Sequence, residues 1–152
     1  MRSLIMIAMA VCISFAGAYS ANAGEMQDSR QLIKVPKDIE TKMLVNMRDH
    51  IVALDEIIGA VEAGEYEKAE EVAESRLGWS SLVRLGDQEV ADHWAKPMQL
   101  MADEMYRSAS NFVIVAQNAS VEESKESYKT VIQALGKMTS ACRSCHEAFR
   151  VR

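Results

Sequence analysis

The chain has 152 residues, with 22 acidic against 17 basic side chains and a formal net charge of −5. That length suits one domain around one hydrophobic core, and the acidic balance argues against nucleic acid as a partner. Seven glycines and two prolines leave few helix breakers.

Residues 1–23 read as an export signal. Arg2 supplies a short positive region, Leu4 to Ala18 is a nearly uncharged apolar run, and Ala21-Asn22-Ala23 is an A-x-A cleavage site. Cleavage leaves a mature domain over 24–152 and places it in the periplasm. The competing reading is an uncleaved N-terminal anchor. The run is short for a bilayer and no later segment is more apolar, so no stable membrane span is expected. Cys12 lies inside the run behind bulky Val11, which argues against a lipoprotein.

The mature chain reads as four helices with short connections and no strand. The first runs from Lys37 to Ala63 after Pro36, with an apolar stripe of Leu44, Met47, Ile51, Leu54, Ile58 and Val61, and Gly64 ends it. The second runs from Glu65 to Leu85 through Tyr66, Ala69, Ala73 and Leu77, with a break foreseen near Gly78-Trp79. The third begins near Trp94 or Pro97, where proline is tolerated in a first turn. Its stripe is Trp94, Met98, Met101, Met105, Phe112, Ala116 and Ala119. The fourth opens with a capping box of Ser120 and Glu123. Its stripe is Tyr128, Val131, Leu135, Met138, Cys142, Cys145 and Phe149.

The fourth helix carries the chemistry. Cys142-Arg143-Ser144-Cys145-His146 is a C-x-x-C-H motif, the pattern of covalent haem c attachment: two thiols add across the haem vinyl groups, and the next histidine ligates iron. Residues three apart share a helix face, so both thiols continue the core seam and place one haem inside the protein. Three alternatives compete. A disulfide would close a very small loop and stabilise little. A zinc site needs four ligands, with only His50 and His93 to supplement the cluster. A thioredoxin-type pair belongs near a βαβ pattern, which is absent. No nucleophile–base pair or phosphate loop marks an enzyme.

Four helices with C-x-x-C-H near the end of the last resemble the cytochrome c′ family, the class II c-type cytochromes. The specific part is the tail Ala141-Cys-Arg-Ser-Cys-His-Glu-Ala-Phe-Arg150. Pro36 and the first helix, the Gly64-Glu65 turn and Trp94 follow the pattern more loosely. The resemblance implies an all-α, antiparallel up-down-up-down four-helix bundle with His146 as proximal ligand. It also implies a role for Arg150, one helical turn beyond, near the proximal face; a solvated cation at a helix C-terminus is the competing reading.

The resemblance also implies that a first-helix residue covers the other face of the iron. In the low-spin branch that residue is a ligating methionine, and counting from Pro36 selects Met47, with Met43 one turn earlier as the alternative. A methionine ligand implies a periplasmic electron carrier. Methionines that only pack imply an open five-coordinate iron that binds NO or CO. His50 lies off the assigned stripe beside Arg48 and Asp49 and is expected to face solvent. Arg48 and Lys42 read as solvated charges, His93 as a loop residue, and Trp79 and Trp94 as packing. An acidic surface suits a redox partner with a basic docking patch, or no specific partner. Family members often dimerise through the first two helices, although Glu62, Glu67, Lys68, Glu70 and Glu71 look solvated.

Overall fold

The computed structural model describes residues 28–84, 87–122 and 124–152. The expected export signal, Cys12 and the Gly24 start lie outside the described residues, as do Gly86 and Glu123. Among the described residues the order is β1 (Gln31–Leu32), α1 (Lys37–Glu62), α2 (Tyr66–Arg76), α3 (Trp79–Arg84), α4 (Asp87–Ala91), α5 (Lys96–Val121), α6 (Lys125–Ala148) and β2 (Phe149–Arg150). The class is all-α. No helix among the described residues is long and apolar enough to cross a membrane.

Helix α1 starts after Pro36, and Asp38 and Glu40 place negative charge at the positive end of its dipole. It ends where expected. Gly64 takes a positive φ of 73°. Glu65 N–H donates to Ala60 O at 2.8 Å and Gly64 N–H to Val61 O at 3.2 Å. These are the two bonds of a Schellman motif, which satisfies the last carbonyls of the helix.

The foreseen break separates α2 from α3 at Leu77-Gly78. Glu74 organises it: one carboxylate oxygen accepts from Ser80 N–H at 3.1 Å and Ser80 Oγ at 2.6 Å, and the other accepts from Ser110 Oγ on α5 at 2.6 Å. Pro97 sits in the first turn of α5, as anticipated.

Three expectations are corrected. The capping box of α6 is Ser124 with Ser127, whose N–H and hydroxyl exchange bonds at 3.0 Å each. Ser120 lies inside α5, which continues to Val121, and its hydroxyl returns to Gln117 O. Two short strands exist: β1 and β2 pair in parallel, Gln31 opposite Phe149 and Leu32 opposite Arg150, and Ile33 N–H donates to Arg150 O at 2.8 Å. Finally, α4 occupies a stretch expected to be a connection.

Helix α1 packs on α2, α2 on α5, and α5 on α6, whereas α1 and α6 approach less closely than any of these pairs. The core has two parts. One gathers Ile57, Leu77, Phe112, Val131 and Met138. The other lies toward the β1–β2 end and gathers Ile33, Ile39, Met43, Trp94, Met98 and Phe149. The α5 stripe is essentially as read. The α1 stripe is rotated by one residue. Its buried positions are Ile39, Met43, His50, Ala53, Ile57, Ala60 and Val61, while Ile51 is 61% and Ile58 46% exposed. Small Ala53 and Ala60 join Ala69 and Ala73 of α2 in one core, a contact large aliphatic side chains would hold apart. In helix α6 the expected Val131 and Met138 are buried, but Ala134 and Ala141 join them in place of Leu135 and Cys142, which are half-buried, and Tyr128 is exposed.

Candidate functional site

The looser seam between α1 and α6 opens into a cavity of about 390 Å³, within the usual range for a cofactor or ligand pocket. Helix α6 contributes Cys142, Cys145 and His146; α1 contributes Met43, Met47 and His50; α5 contributes Met98 and Met105. Cys142 and Cys145 are free and half-buried, and face the cavity from successive turns. Burial pushes both thiols above their ordinary pKa, and Cys142 adds to the effect on Cys145. A thiol–disulfide catalyst needs an accessible thiolate, so this environment opposes that alternative. Among the described residues no group of three His, Cys, Asp or Glu side chains is placed to hold a metal ion, and His93 is instead exposed with Nδ1 3.0 Å from Glu89 O. The zinc reading therefore lacks its ligands.

His146 is exposed at the cavity rim. Its carbonyl accepts from Arg30 Nη1 at 3.3 Å, so the segment before α1 straps the end of the motif helix. Asp28 completes the strap. It pairs with Arg30 at 2.8 Å and lies 3.5 Å from Arg150 Nε. The hydrogen bonds from Arg30 hold the Asp28 carboxyl down to about pKa 2.

Arg150 lines the cavity, but not one helical turn beyond His146. Helix α6 stops at Ala148, Phe149 is extended (φ −128°, ψ 153°), and Arg150 belongs to β2. Pairing with β1 supplies the backbone partners that a further helical turn would have supplied. Arg150 is half-buried beside Asp28 rather than a free solvated cation.

His50 is the largest departure. It is 8% exposed on the core side of α1, not on the solvent face. Burial pushes its pKa down to about 4, with Asp49 opposing and His146 and Arg76 reinforcing the shift, so the imidazole is neutral at physiological pH. Its Nε2 is buried without a hydrogen-bond partner, as are Trp94 Nε1 and Arg150 Nε in the same cavity wall. Next to it, Arg76 of α2 grips Asp49 through both carboxylate oxygens, donates to the Asp49 carbonyl at 3.1 Å, and reaches Glu56 at 2.8 Å. Lys42 pairs with Glu89 and Arg48 is exposed.

Met47 is half-buried and Met43 fully buried, and both line the cavity. Trp94 is buried there too. Trp79 stacks obliquely on Tyr106, ring centroids 5.4 Å apart. A larger, more open groove of about 860 Å³ lies between the α1–α2 and α5–α6 turns, walled by Tyr66, Lys68, Lys125 and Tyr128, and holds none of the motif residues.

No known protein family, no curated protein and no solved structure matches this chain.

Proposed function

We propose that this protein is an exported, periplasmic c-type cytochrome of the class II kind, an up-down-up-down four-helix bundle that carries electrons and is not an enzyme. One observation carries the reading. The two thiols and the histidine of the C-x-x-C-H motif line one mainly apolar cavity, whose wall also includes His50 and Trp94, each with a buried ring nitrogen that lacks a hydrogen-bond partner. Buried polar atoms without partners are uncommon, and two in one cavity wall suit a place where a polar or metal-bearing group belongs.

The residues suit haem c. Cys142 and Cys145 would tether it, and His146 would ligate iron from the α6 side. The N–H groups of Arg150 and Trp94, with the charge of Arg30 on the rim, suit the haem carboxylates. Bound haem would accept one electron from a donor protein and pass it to an acceptor protein. The methionine-rich wall would pack adaptably around a rigid ring. A second iron ligand would come from α1, whose Met47, Met43 and His50 line the cavity as available donors.

The test is the absorption spectrum of the purified mature protein, ferric and ferrous, then with carbon monoxide added. A low-spin spectrum with little carbon monoxide response supports the carrier. A high-spin ferric spectrum with prompt carbon monoxide binding means an open distal site and a gas-binding protein instead.

A further inference from the structure

Resting on the haem reading above, we propose that His50 is the second axial ligand of the haem iron, so that the site is closed by two histidines rather than by a histidine and a methionine.

Three α1 side chains compete, and their chemistry separates them. A thioether needs no hydrogen bond, and a methionine facing an apolar cavity is ordinary core packing. Met43 and Met47 are both explained that way, in a cavity that Met98, Met101 and Met105 also line. A buried imidazole nitrogen is different. His50 is 8% exposed and its Nε2 meets no donor or acceptor. Leaving such an atom unpaired is costly, and interiors avoid it. A metal bond to Nε2 removes the cost, and neutral imidazole is among the commonest metal ligands.

Position supports the same choice. His50 and His146 line one cavity from α1 and α6. The stretch of α1 bearing His50 is fixed by Arg76, which holds the Asp49 side chain and carbonyl and also Glu56. Such outer contacts hold a ligand in register before the metal group arrives.

Two histidines give a six-coordinate, low-spin iron that exchanges electrons with little rearrangement. They also give a lower reduction potential than a histidine–methionine pair, because a thioether favours ferrous iron. The distal face is then closed to gases unless His50 leaves.

The test uses the full-length protein matured with its haem. Covalent attachment is checked first, from the mass of the purified chain and its alkaline pyridine spectrum. No covalent haem overturns both this proposal and the haem reading, whereas haem with the wrong ligand overturns this proposal alone. The native ferric spectrum then decides without any mutation. The expected result is low-spin iron lacking the far-red methionine-to-iron charge-transfer band. A clear far-red band, or high-spin ferric iron, overturns the proposal. His50→Leu should become high-spin and bind carbon monoxide at least an order of magnitude faster. His50→Met should stay low-spin and shift the potential upward. Met47→Leu and Met43→Leu should each keep the native spectrum; loss of the low-spin state in either one overturns the assignment.

Discussion

Removing the two thiols should cost the protein one end of its fold and spare the other. On the haem reading, Cys142→Ala with Cys145→Ala abolishes covalent attachment, and the cavity must then collapse or fill with water. At about 24 cal/mol per Å³, closing off 390 Å³ of apolar space costs on the order of 9 kcal/mol. The cavity is partly open to solvent, so that figure is an upper bound. Even half of it is a large share of the 5–15 kcal/mol, roughly, that stabilises an ordinary domain. The loss should be local. Ile39, Met43, Trp94, Met98 and Phe149 form the core beside the cavity, while Ile57, Phe112 and Val131 form the other core. Hydrogen exchange read by mass spectrometry should show protection falling in the first turns of α1 and the last turns of α6, and persisting in the second half of α1, in α2 and in mid-α5. Urea unfolding should become less cooperative. An unchanged midpoint with unchanged protection in both cores would refute the idea that the cavity is built around a bound group.

Three further outcomes follow from individual contacts. A Cβ at Gly78 would lie 2.4 Å from Glu74 Oε2 and 2.9 Å from Ser110 Oγ, and Glu74 is already tied to Ser80 and Ser110. Gly78→Ala should therefore destabilise by about 1–3 kcal/mol in chemical denaturation, and a neutral result would show that the corner relaxes freely. Arg76→Met strips Asp49 and Glu56 of their shared cation. Both carboxylates are partly exposed and rehydrate, so the expected loss is only about 1 kcal/mol; a loss several times larger would mean that the grip on α1 organises more than those two charges. In the haem-free protein, His50 has its pKa lowered from 6.5 to about 4 by burial. The unfolded chain therefore takes up this proton first, and stability present above pH 6.5 is lost as the pH falls toward 4. The loss is at most roughly 3 kcal/mol, and His50→Gln should flatten that segment of the stability–pH profile. A profile with the same slope in the variant would place the titration elsewhere.

Much of the architecture was legible in the sequence because its signals are local. Gly64 ends α1 in the left-handed conformation that favours glycine, Pro97 opens α5, and the α5 stripe needs no tertiary information. What was not legible depends on partners far away in the chain. Arg150 leaves the helix because β1 offers it a backbone partner, and β1 lies more than a hundred residues earlier. Ser124 rather than Ser120 caps α6 because α5 runs on to Val121, and several serines and glutamates nearby offer competing frames. Helix α4 carries only a weak apolar pattern, and just Val90 of it is buried among residues 88–91.

The frame of α1 shows why such errors reach function. Two stripes with the same alternating spacing run along this helix one residue apart. One is Leu44, Met47, Ile51, Leu54, Ile58 and Val61. The other is Ile39, Met43, Asn46, His50, Ala53, Ile57 and Ala60. Reading by hydrophobic size selects the first, because histidine, asparagine and alanine score poorly as core residues. Packing selects the second, because α2 presents Ala69 and Ala73 and only small residues let the two helices close. One residue along a helix is a rotation of about 100°. That rotation leaves Ile58 exposed and brings His50 into the interior, beside the cavity that holds the C-x-x-C-H motif and that Leu44, Met47, Ile51 and Leu54 also line. On the proposal that His50 ligates a bound haem, the second ligand turns on two alanines in a neighbouring helix, and changing either to a larger side chain should perturb the ligand field without touching the cavity. Ala73→Val is the direct check. A shifted low-spin spectrum or a high-spin fraction is expected, and an unaltered spectrum in a destabilised protein would uncouple the α1–α2 contact from the site.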